Sequence, residues 1–310
     1  MGREHAITTA LVFPGVGVKL SRHELRFFRD HRRFFDHCFD AAGEEAGTDL
    51  LEALVDGQLG QRDRRLEHFF TYAFSCGMAD WCRHNGAEAD LMAGYSFGIY
   101  GSLYASGALS YHDGLAAIAR AYDLMATASG GRDYTMAITL GLTAGEVDAI
   151  LSSHYYDQLC MVNSNNDTCK VFAGPRASLE RFVAEASRHD ALEARFLPVA
   201  IPYHHPRLLD GISSAFHEFL GKLHWSPPLC PIVSSIDQGL LTTTEELRDY
   251  TARNLSTPIN WERVAAALHG RGVTRAIECG PGISLTQNGR FMPFHIDYVN
   301  IKNLERKLKR

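Results

Sequence analysis

A serine between two glycines, in Gly94-Tyr95-Ser96-Phe97-Gly98, is the feature of this sequence best suited to covalent chemistry. The apolar run Leu91-Met92-Ala93 precedes it, and large apolar residues follow at the helical positions 99, 100, 103 and 104. A serine at a sharp strand-to-helix turn is the arrangement of a nucleophile elbow. Because glycine has no Cβ atom, the backbone segments can approach each other closely at such a turn. The N-terminus of the following helix stabilises the negative charge that develops on an attacked carbonyl. We therefore predict that Ser96 is an enzymatic nucleophile.

A serine nucleophile needs a base, and His204 is the candidate in Pro202-Tyr203-His204-His205-Pro206. A histidine far along the chain can lie beside such a serine when it follows the end of a strand. From these residues alone, a buried core histidine with satisfied hydrogen bonds is the favoured interpretation, and the base role is the alternative. We predict that His205 is structural, and no role is assigned to His68 or His112.

Composition and charge exclude several classes of protein. The chain has 310 residues, 45% hydrophobic and 22% charged, which is ordinary for a globular protein. A formal net charge of -5 argues against nucleic-acid binding, where phosphate contacts dominate affinity. No apolar run approaches the roughly 18 residues that cross a bilayer, and the N-terminus lacks a secretory apolar segment. We therefore predict neither a nucleic-acid partner nor a membrane partner.

The metal-binding and redox residues are scattered. The seven cysteines form no Cys-x-x-Cys pair, which is typical of reduced thiols in a cytoplasm. The 15 histidines form no His-Glu-x-x-His or other compact ligand set. The sequence thus predicts a cytoplasmic protein without a metal.

The N-terminal region begins with a predicted strand, Ala10 to Phe13, that ends at Pro14-Gly15-Val16-Gly17. Leu20 stands where a dinucleotide fingerprint would need its third glycine, so that interpretation is rejected. One amphipathic helix is predicted from about Arg22 to Phe39. Its apolar face would hold Leu25, Phe28, Phe35 and Phe39. Its arginines form either a solvated face or a docking surface for an acidic partner.

The middle of the chain has a different pattern, with predicted strands and helices in the order βαββαβ. This order is ferredoxin-like. The predicted elements are strands at 135–140, 160–162, 170–173 and 194–199, and helices at 145–152 and 178–187. We therefore predict an α/β fold: a large hydrolase-like subdomain at 1–131 and 200–310, with a central, mostly parallel sheet, and an inserted small subdomain at 132–199.

Five motifs in order along the chain resemble the malonyl-CoA:acyl carrier protein transacylase family, which includes the acyltransferase domains of polyketide synthases. The resemblance covers nearly the whole chain. The motifs are Phe13-Pro14-Gly15-Val16-Gly17, Gly94 to Gly98 with its continuation Tyr104 to Ser110, Pro202 to Pro206, Arg253 to Trp261, and Glu278-Cys279-Gly280-Pro281-Gly282.

The resemblance implies a ping-pong acyl transfer. Ser96 would attack an acyl thioester, and His204 would act as general base and later as general acid. The backbone carbonyl of Asn254 would orient the imidazole, and the backbone N–H groups of Val16 and Phe97 would form the oxyanion hole. The implied substrate pocket includes Tyr95, Ala121, Glu67, Tyr203 and Asn163. No cofactor is expected to be bound, because the substrate itself arrives on phosphopantetheine or coenzyme A.

The departures from the family pattern concern the substrate. Malonyl-using members carry an arginine 25 residues after the serine, and that position is Ala121 here. Arg120 is adjacent, but one helical residue is about 100° of rotation, so it should face elsewhere. Tyr95 replaces a histidine, and Glu67 falls near another pocket position. Burying an unpaired malonyl carboxylate there would cost several kcal/mol.

We therefore predict an acyltransferase for a non-malonyl acyl group, with Glu67 hinting at an amine, in polyketide or related secondary metabolism. Its partner would be an acidic acyl carrier protein docking on a basic rim. Two alternatives stay open: an acyl-thioester hydrolase on the same scaffold and a malonyl transacylase. The presence of both Ser96 and His204 argues against an idle docking protein. The candidate rim residues are Arg62, Arg64, Arg65, the arginines of the first helix (Arg22, Arg26, Arg29, Arg32, Arg33), and the tail residues Arg306, Lys307, Lys309 and Arg310.

Overall fold

The structure is a computed structural model that describes residues 8–16, 20–55, 65–199 and 201–308. Within them the strands are β1 (Thr8–Phe13), β2 (Leu91–Gly94), β3 (Tyr134–Leu140), β4 (Cys160–Asn166), β5 (Cys169–Pro175), β6 (Glu193–Phe196), β7 (Ile232–Val233), β8 (Leu240–Leu241), β9 (Ile259–Asn260), β10 (Val273–Glu278) and β11 (Asp297–Val299). The α-helices are α1 (Arg22–Asp30), α2 (Asp36–Ala46), α3 (Leu50–Val55), α4 (Arg65–His84), α5 (Ile99–Ala105), α6 (Tyr111–Ser129), α7 (Ala144–Ser153), α8 (Arg176–Arg188), α9 (Pro206–Leu209), α10 (Ser213–Leu220), α11 (Thr244–Arg253), α12 (Trp261–Gly270), α13 (Ser284–Gly289) and α14 (Leu304–Leu308).

The described chain divides into two compact units. The first unit takes residues from 1–119, 223–247 and 264–310, and the second takes residues from 120–222 and 248–263. The predicted insert at 132–199 lies within the second unit.

The first unit is built on a six-stranded sheet in the order β11-β10-β1-β2-β7-β8. All neighbours are parallel except β7 and β8, the antiparallel pair at one edge. Every residue of β2 is buried, and so are five of the six in β1. Continuous burial of this kind is typical of parallel strands covered on both faces. The predicted hydrolase-like core with a mostly parallel sheet is confirmed.

The second unit contains the predicted ferredoxin-like fold. Its sheet has the order β6-β3-β5-β4, and β9 adds a fifth strand parallel to β4. One core cluster unites strand residues with residues of α7 and α8, including Ala137, Phe172 and Phe182. Alternate strand residues, including Met136 and Val171, form a separate cluster. This alternation follows from the two-residue repeat of a strand.

The prediction of one continuous helix from about Arg22 to Phe39 was wrong. Residues 22–39 form α1, a short 3₁₀ turn at Arg32–Phe34, and the start of α2. The break lets Phe35 become fully buried against Phe74, with ring centroids 5.3 Å apart. Phe27 is buried, whereas Leu25, placed on the apolar face by the sequence, is exposed. The apolar area gained by burying large aromatic rings here favours the broken helix over the continuous one predicted from the helical spacing.

Among the described residues, no helix is long and apolar enough to cross a membrane. All seven cysteines are free thiols.

The Glu278 to Gly282 motif has a structural role. In it, the fully buried Glu278 carboxylate accepts hydrogen bonds from the backbone N–H groups of Leu285 and Thr286, each at 2.9 Å. Burial raises the pKa of Glu278. This motif therefore anchors the start of α13.

Candidate functional site

Ser96 lies at a strained strand-to-helix turn in the first unit. The turn joins β2 to α5 through a 3₁₀ turn at Ser96–Gly98, so the predicted context of the elbow is present. Ser96 has φ 54°, a left-handed conformation that is uncommon for a residue with a side chain. Such strain persists only where the surroundings enforce it, and it clusters at functional sites.

Two glycines make this turn possible. A Cβ atom on Gly94 would lie 2.3 Å from the Ile99 backbone nitrogen, and one on Gly98 would lie 2.1 Å from the Phe13 carbonyl oxygen. Both separations are far below van der Waals contact, and both involve backbone atoms that cannot move aside. The Gly-x-Ser-x-Gly spacing is therefore a packing requirement of this turn.

The end of β1 lies directly beside the elbow. Phe13 pairs with Gly94, and the Tyr95 N–H donates to the Phe13 carbonyl at 2.8 Å. A Cβ on Gly15 would lie 3.1 Å from the Tyr95 ring. Val16 follows this segment, and Phe97 immediately follows the serine. Both predicted oxyanion-hole residues thus belong to segments that meet at the elbow, and their role stays a prediction.

His68 is a neighbour of the elbow that the sequence did not single out. Its buried ring packs edge-on against Phe97, with centroids 5.1 Å apart. The Phe97 ring also packs against the Tyr100 ring, with centroids 5.3 Å apart. Glu67, the predicted pocket residue, is half-buried at the preceding position of α4. No local motif marks His68 among 15 histidines, because its contact is formed only by folding.

His204 is held by a backbone carbonyl in the second unit. Its Nδ1 lies 2.7 Å from the Asn254 carbonyl oxygen, and its own N–H donates to the Leu255 carbonyl at 3.1 Å. Because a carbonyl only accepts, Nδ1 carries the proton and Nε2 keeps the lone pair that a base needs. Asn254 directly follows the end of α11, where the helix dipole is negative. This carbonyl therefore orients the ring and would stabilise an imidazolium.

The surroundings keep His204 neutral. Burial lowers the pKa of His204 to about 4, although backbone hydrogen bonds at Asn254 and Thr257 oppose the shift. Desolvation penalises the charged imidazolium more than these bonds stabilise it. A neutral imidazole is the form able to take a proton from a serine.

The lowered pKa of His204 predicts an acid-tolerant acylation step. A base works only when unprotonated, so kcat/KM for acylation should stay near its plateau as pH falls from 7 to 5. It should decline only near the His204 pKa of about 4. Rapid-quench acylation across this range, with tryptophan fluorescence to monitor folding, measures the midpoint. A midpoint at about 6.5, the ordinary histidine value, would contradict the assignment.

His205 has the structural role that the sequence predicted. It is fully buried, its Nδ1 accepts from the Leu208 N–H at 3.1 Å, and its Nε2 donates to the Gln158 carbonyl at 2.8 Å. Nδ1 thus caps the start of α9, and Nε2 ties the ring to the segment that precedes β4. Of the adjacent histidines, only His204 has a ring nitrogen on the Asn254 carbonyl.

The remaining predicted pocket residues lie in the second unit. Ala121 is 2% exposed on α6, whereas Arg120 is exposed. Tyr203 packs on the cluster that contains Val171, and Asn163 is buried opposite Val171 on β4. Asn163 and Tyr203 therefore share one side of this unit with the turn that carries His204.

The chain is similar to several curated proteins. The curated relatives include the polyketide biosynthesis protein ThaF of Burkholderia thailandensis, 28% identical over 280 residues, which cover 89% of this chain and 23% of ThaF. The malonyl CoA-acyl carrier protein transacylase of Escherichia coli O157:H7 is 28% identical over 207 residues, 66% of this chain and 67% of that protein. This chain thus spans less than a quarter of ThaF.

The fold also matches solved structures. The crystal structure of FabD from Acinetobacter baumannii superposes with a TM-score of 0.86 at 25% identity, over 98% of both chains. The family model described as the acyl transferase domain matches residues 14–290, which include both Ser96 and His204. The chain therefore belongs to the acyl transferase domain family and is an acyltransferase.

Proposed function

We propose that this acyltransferase moves a non-malonyl acyl group between thioesters, at least one of them on an acyl carrier protein, in polyketide or related secondary metabolism. The observation that carries the proposal is the pair of prepared groups: a strained Ser96 on an elbow, and a neutral His204 oriented by the Asn254 carbonyl. The name of the E. coli transacylase supports an acyl carrier protein as substrate carrier, and the name of ThaF supports a role in polyketide biosynthesis.

In the first half-reaction, the Ser96 hydroxyl attacks the thioester carbonyl while His204 Nε2 takes the hydroxyl proton. The tetrahedral intermediate collapses, the C–S bond breaks, and the leaving thiolate receives the proton from His204. In the second half-reaction, a pantetheine thiol gives its proton to His204 and attacks the acyl-serine. Ser96 then leaves with that proton, and the catalyst is restored.

Three groups would stabilise charge in this cycle. The Val16 and Phe97 N–H groups would donate to the oxyanion, a contribution of several kcal/mol in related chemistry. The Asn254 carbonyl would stabilise the transient imidazolium, as the carboxylate does in a serine triad. Because all three are backbone groups, a side chain can vary at these positions without loss of the chemistry.

The acyl group is argued from Ala121 and Arg120. The alanine is buried where malonyl-using relatives are expected to carry an arginine, and the neighbouring arginine points to solvent. A malonyl carboxylate would lose its water there without gaining a guanidinium. Glu67, half-buried beside His68, would further favour a neutral or amine-bearing acyl group over an anion.

Malonyl should be a poor substrate, and Ala121→Arg should improve it. We expect kcat/KM for malonyl relative to a neutral acyl thioester to rise by at least about tenfold in this variant, since a charged hydrogen bond contributes roughly 1.5–3 kcal/mol. The ratio measures discrimination in the transition state. The control is Arg120→Ala, which should not change it. Efficient malonyl loading by the unmodified enzyme, lost in the control, would show that Arg120 binds the carboxylate.

The carrier protein would dock by electrostatic steering on basic side chains of the first unit. Several of the predicted ones are ion-paired: Arg26 and Arg29 with Asp30, Arg32 with Asp36, and Lys307 with Asp297. Arg22 is exposed at the start of α1 and belongs to none of these pairs. The predicted residues Arg62, Arg64, Lys309 and Arg310 lie outside the described residues.

Transfer to an acidic carrier protein should weaken with added salt, because rim charges mainly raise the association rate. Between 50 and 500 mM NaCl we expect kcat/KM to fall severalfold with the carrier and to stay constant with a small pantetheine thioester. Arg22→Glu should reduce the carrier rate only, and Arg181→Glu on α8 is the matched exposed control. Equal salt dependence for both acceptors would contradict steering.

A further inference from the structure

A cluster of three potential metal ligands lies in the first unit, at the start of α2 and near the C-terminal end of α4. His37, Cys38 and Asp80 each offer one donor atom, and these atoms all lie within 4.8 Å of one another. His37 Nε2 is 3.3 Å from Cys38 Sγ and 3.4 Å from the Asp80 carboxylate oxygen Oδ2. None of the three takes part in the acyl transfer described above.

The two separations from His37 Nε2 match those of ligands around a tetrahedral ion. With zinc–nitrogen and zinc–oxygen bonds of about 2.0 Å and a zinc–sulfur bond of about 2.3 Å, donors are about 3.3–3.5 Å apart. A nitrogen, sulfur and oxygen set is also characteristic of zinc, whereas magnesium and calcium select oxygen ligands.

The ligands are held from outside the cluster. Arg83 donates to Oδ1 of Asp80 at 3.0 Å, and the Tyr104 hydroxyl donates to Oδ2 at 2.8 Å. Oδ2 keeps a second lone pair for a metal. The Tyr111 hydroxyl fixes the Cys38 carbonyl at 2.7 Å. Such outer contacts orient ligands in metal sites.

Access and protonation also fit a metal. The His37 side chain is 53% exposed, so an ion can enter from solvent, while Cys38 is fully buried. Burial, together with the charge of Asp80, raises the pKa of the Cys38 thiol. A bound divalent ion supplies the charge that a thiolate needs in such a place.

We propose that His37, Cys38 and Asp80 bind one zinc ion, with water as the fourth ligand. On binding, the Cys38 S–H bond breaks, the S–Zn bond forms, and the proton passes to solvent. The His37 ring nitrogen Nε2 and the Asp80 carboxylate oxygen Oδ2 contribute lone pairs. The ion would link α2 to α4, which are distant in sequence, and would stabilise the folded first unit.

Metal titration of the chelator-stripped full-length protein tests the proposal. Cadmium serves as the probe, because a cadmium–thiolate bond adds an ultraviolet charge-transfer band, and zinc affinity follows from competition with a chromophoric chelator. The expected result is one metal per chain, one proton released, and a higher melting temperature. His37→Ala and Asp80→Asn should each raise the Kd at least tenfold.

The variants separate this site from other thiols and histidines. Cys38→Ser should remove the band, and His84→Ala, an exposed histidine at the end of α4, should bind like the wild type. Absence of a band in the wild type, a band that survives Cys38→Ser, or unchanged affinity in His37→Ala would each overturn the proposal. If Cys38→Ser fails to fold, the metal affinity of His37→Ala, a variant at an exposed position, tests the proposal instead.

Discussion

Replacing Ser96 with alanine is expected to abolish the acyl-enzyme and to lower kcat/KM for acyl transfer by at least about 10⁴-fold. The reason is geometric, since Ser96 carries the single aliphatic hydroxyl of the strained turn and its neighbours are glycine and aromatic residues. Alanine keeps the backbone N–H groups of the oxyanion hole but provides no atom to hold the acyl group. Transfer of a radiolabelled acyl group to a holo carrier protein measures the effect.

The matched control is Ser102→Ala. Ser102 is buried in α5, and its hydroxyl donates to the Ile99 carbonyl at 2.8 Å, so its loss tests the general effect of removing a nearby serine. This variant should keep both the acyl-enzyme and turnover. Normal turnover by Ser96→Ala would remove the assignment of the nucleophile.

His204→Ala should slow both half-reactions by about two to four orders of magnitude, the usual contribution of a general base. Both steps depend on the same imidazole, which takes the serine proton in acylation and the thiol proton in deacylation. Single-turnover acylation and discharge of the preformed acyl-enzyme are measured separately. A loss confined to one step would contradict a shared base.

Two comparisons make this result specific. His112→Ala, at an exposed position of α6, should leave both rates unchanged. The double variant Ser96→Ala/His204→Ala should be no slower than Ser96→Ala alone, because residues that act as a unit are not additive. A further large loss in the double variant would show that His204 acts independently of the serine.

The sequence predicted those parts of the fold that depend on local pattern. The elbow could be recognised because its glycines, strand and helix all lie within a few residues of Ser96. The βαββαβ order followed from hydrophobic periods and turns, and the sheet order confirmed it. Short strands such as β8 and β9 were missed, because two residues give no measurable period.

Other features form only through tertiary contacts. The break in the helix predicted at 22–39 follows from the burial of Phe35, which local propensity does not encode. The contact of His68 with Phe97 joins two separate segments. The cluster of His37, Cys38 and Asp80 escaped the search for compact motifs, because Asp80 lies 42 residues after Cys38 and on a second helix. The orienting role of the Asn254 carbonyl came from the family resemblance alone.

Intact-protein mass spectrometry with peptide mapping tests the central claim most directly. The enzyme is incubated with a panel of neutral, amine-bearing and malonyl pantetheine thioesters, and is then challenged with free pantetheine or with buffer. We predict that neutral or amine-bearing groups add their acyl mass to Ser96, that malonyl loads poorly, and that the thiol discharges the adduct much faster than water does. An adduct absent from Ser96, or one discharged equally fast without thiol, would contradict acyl transfer through this serine.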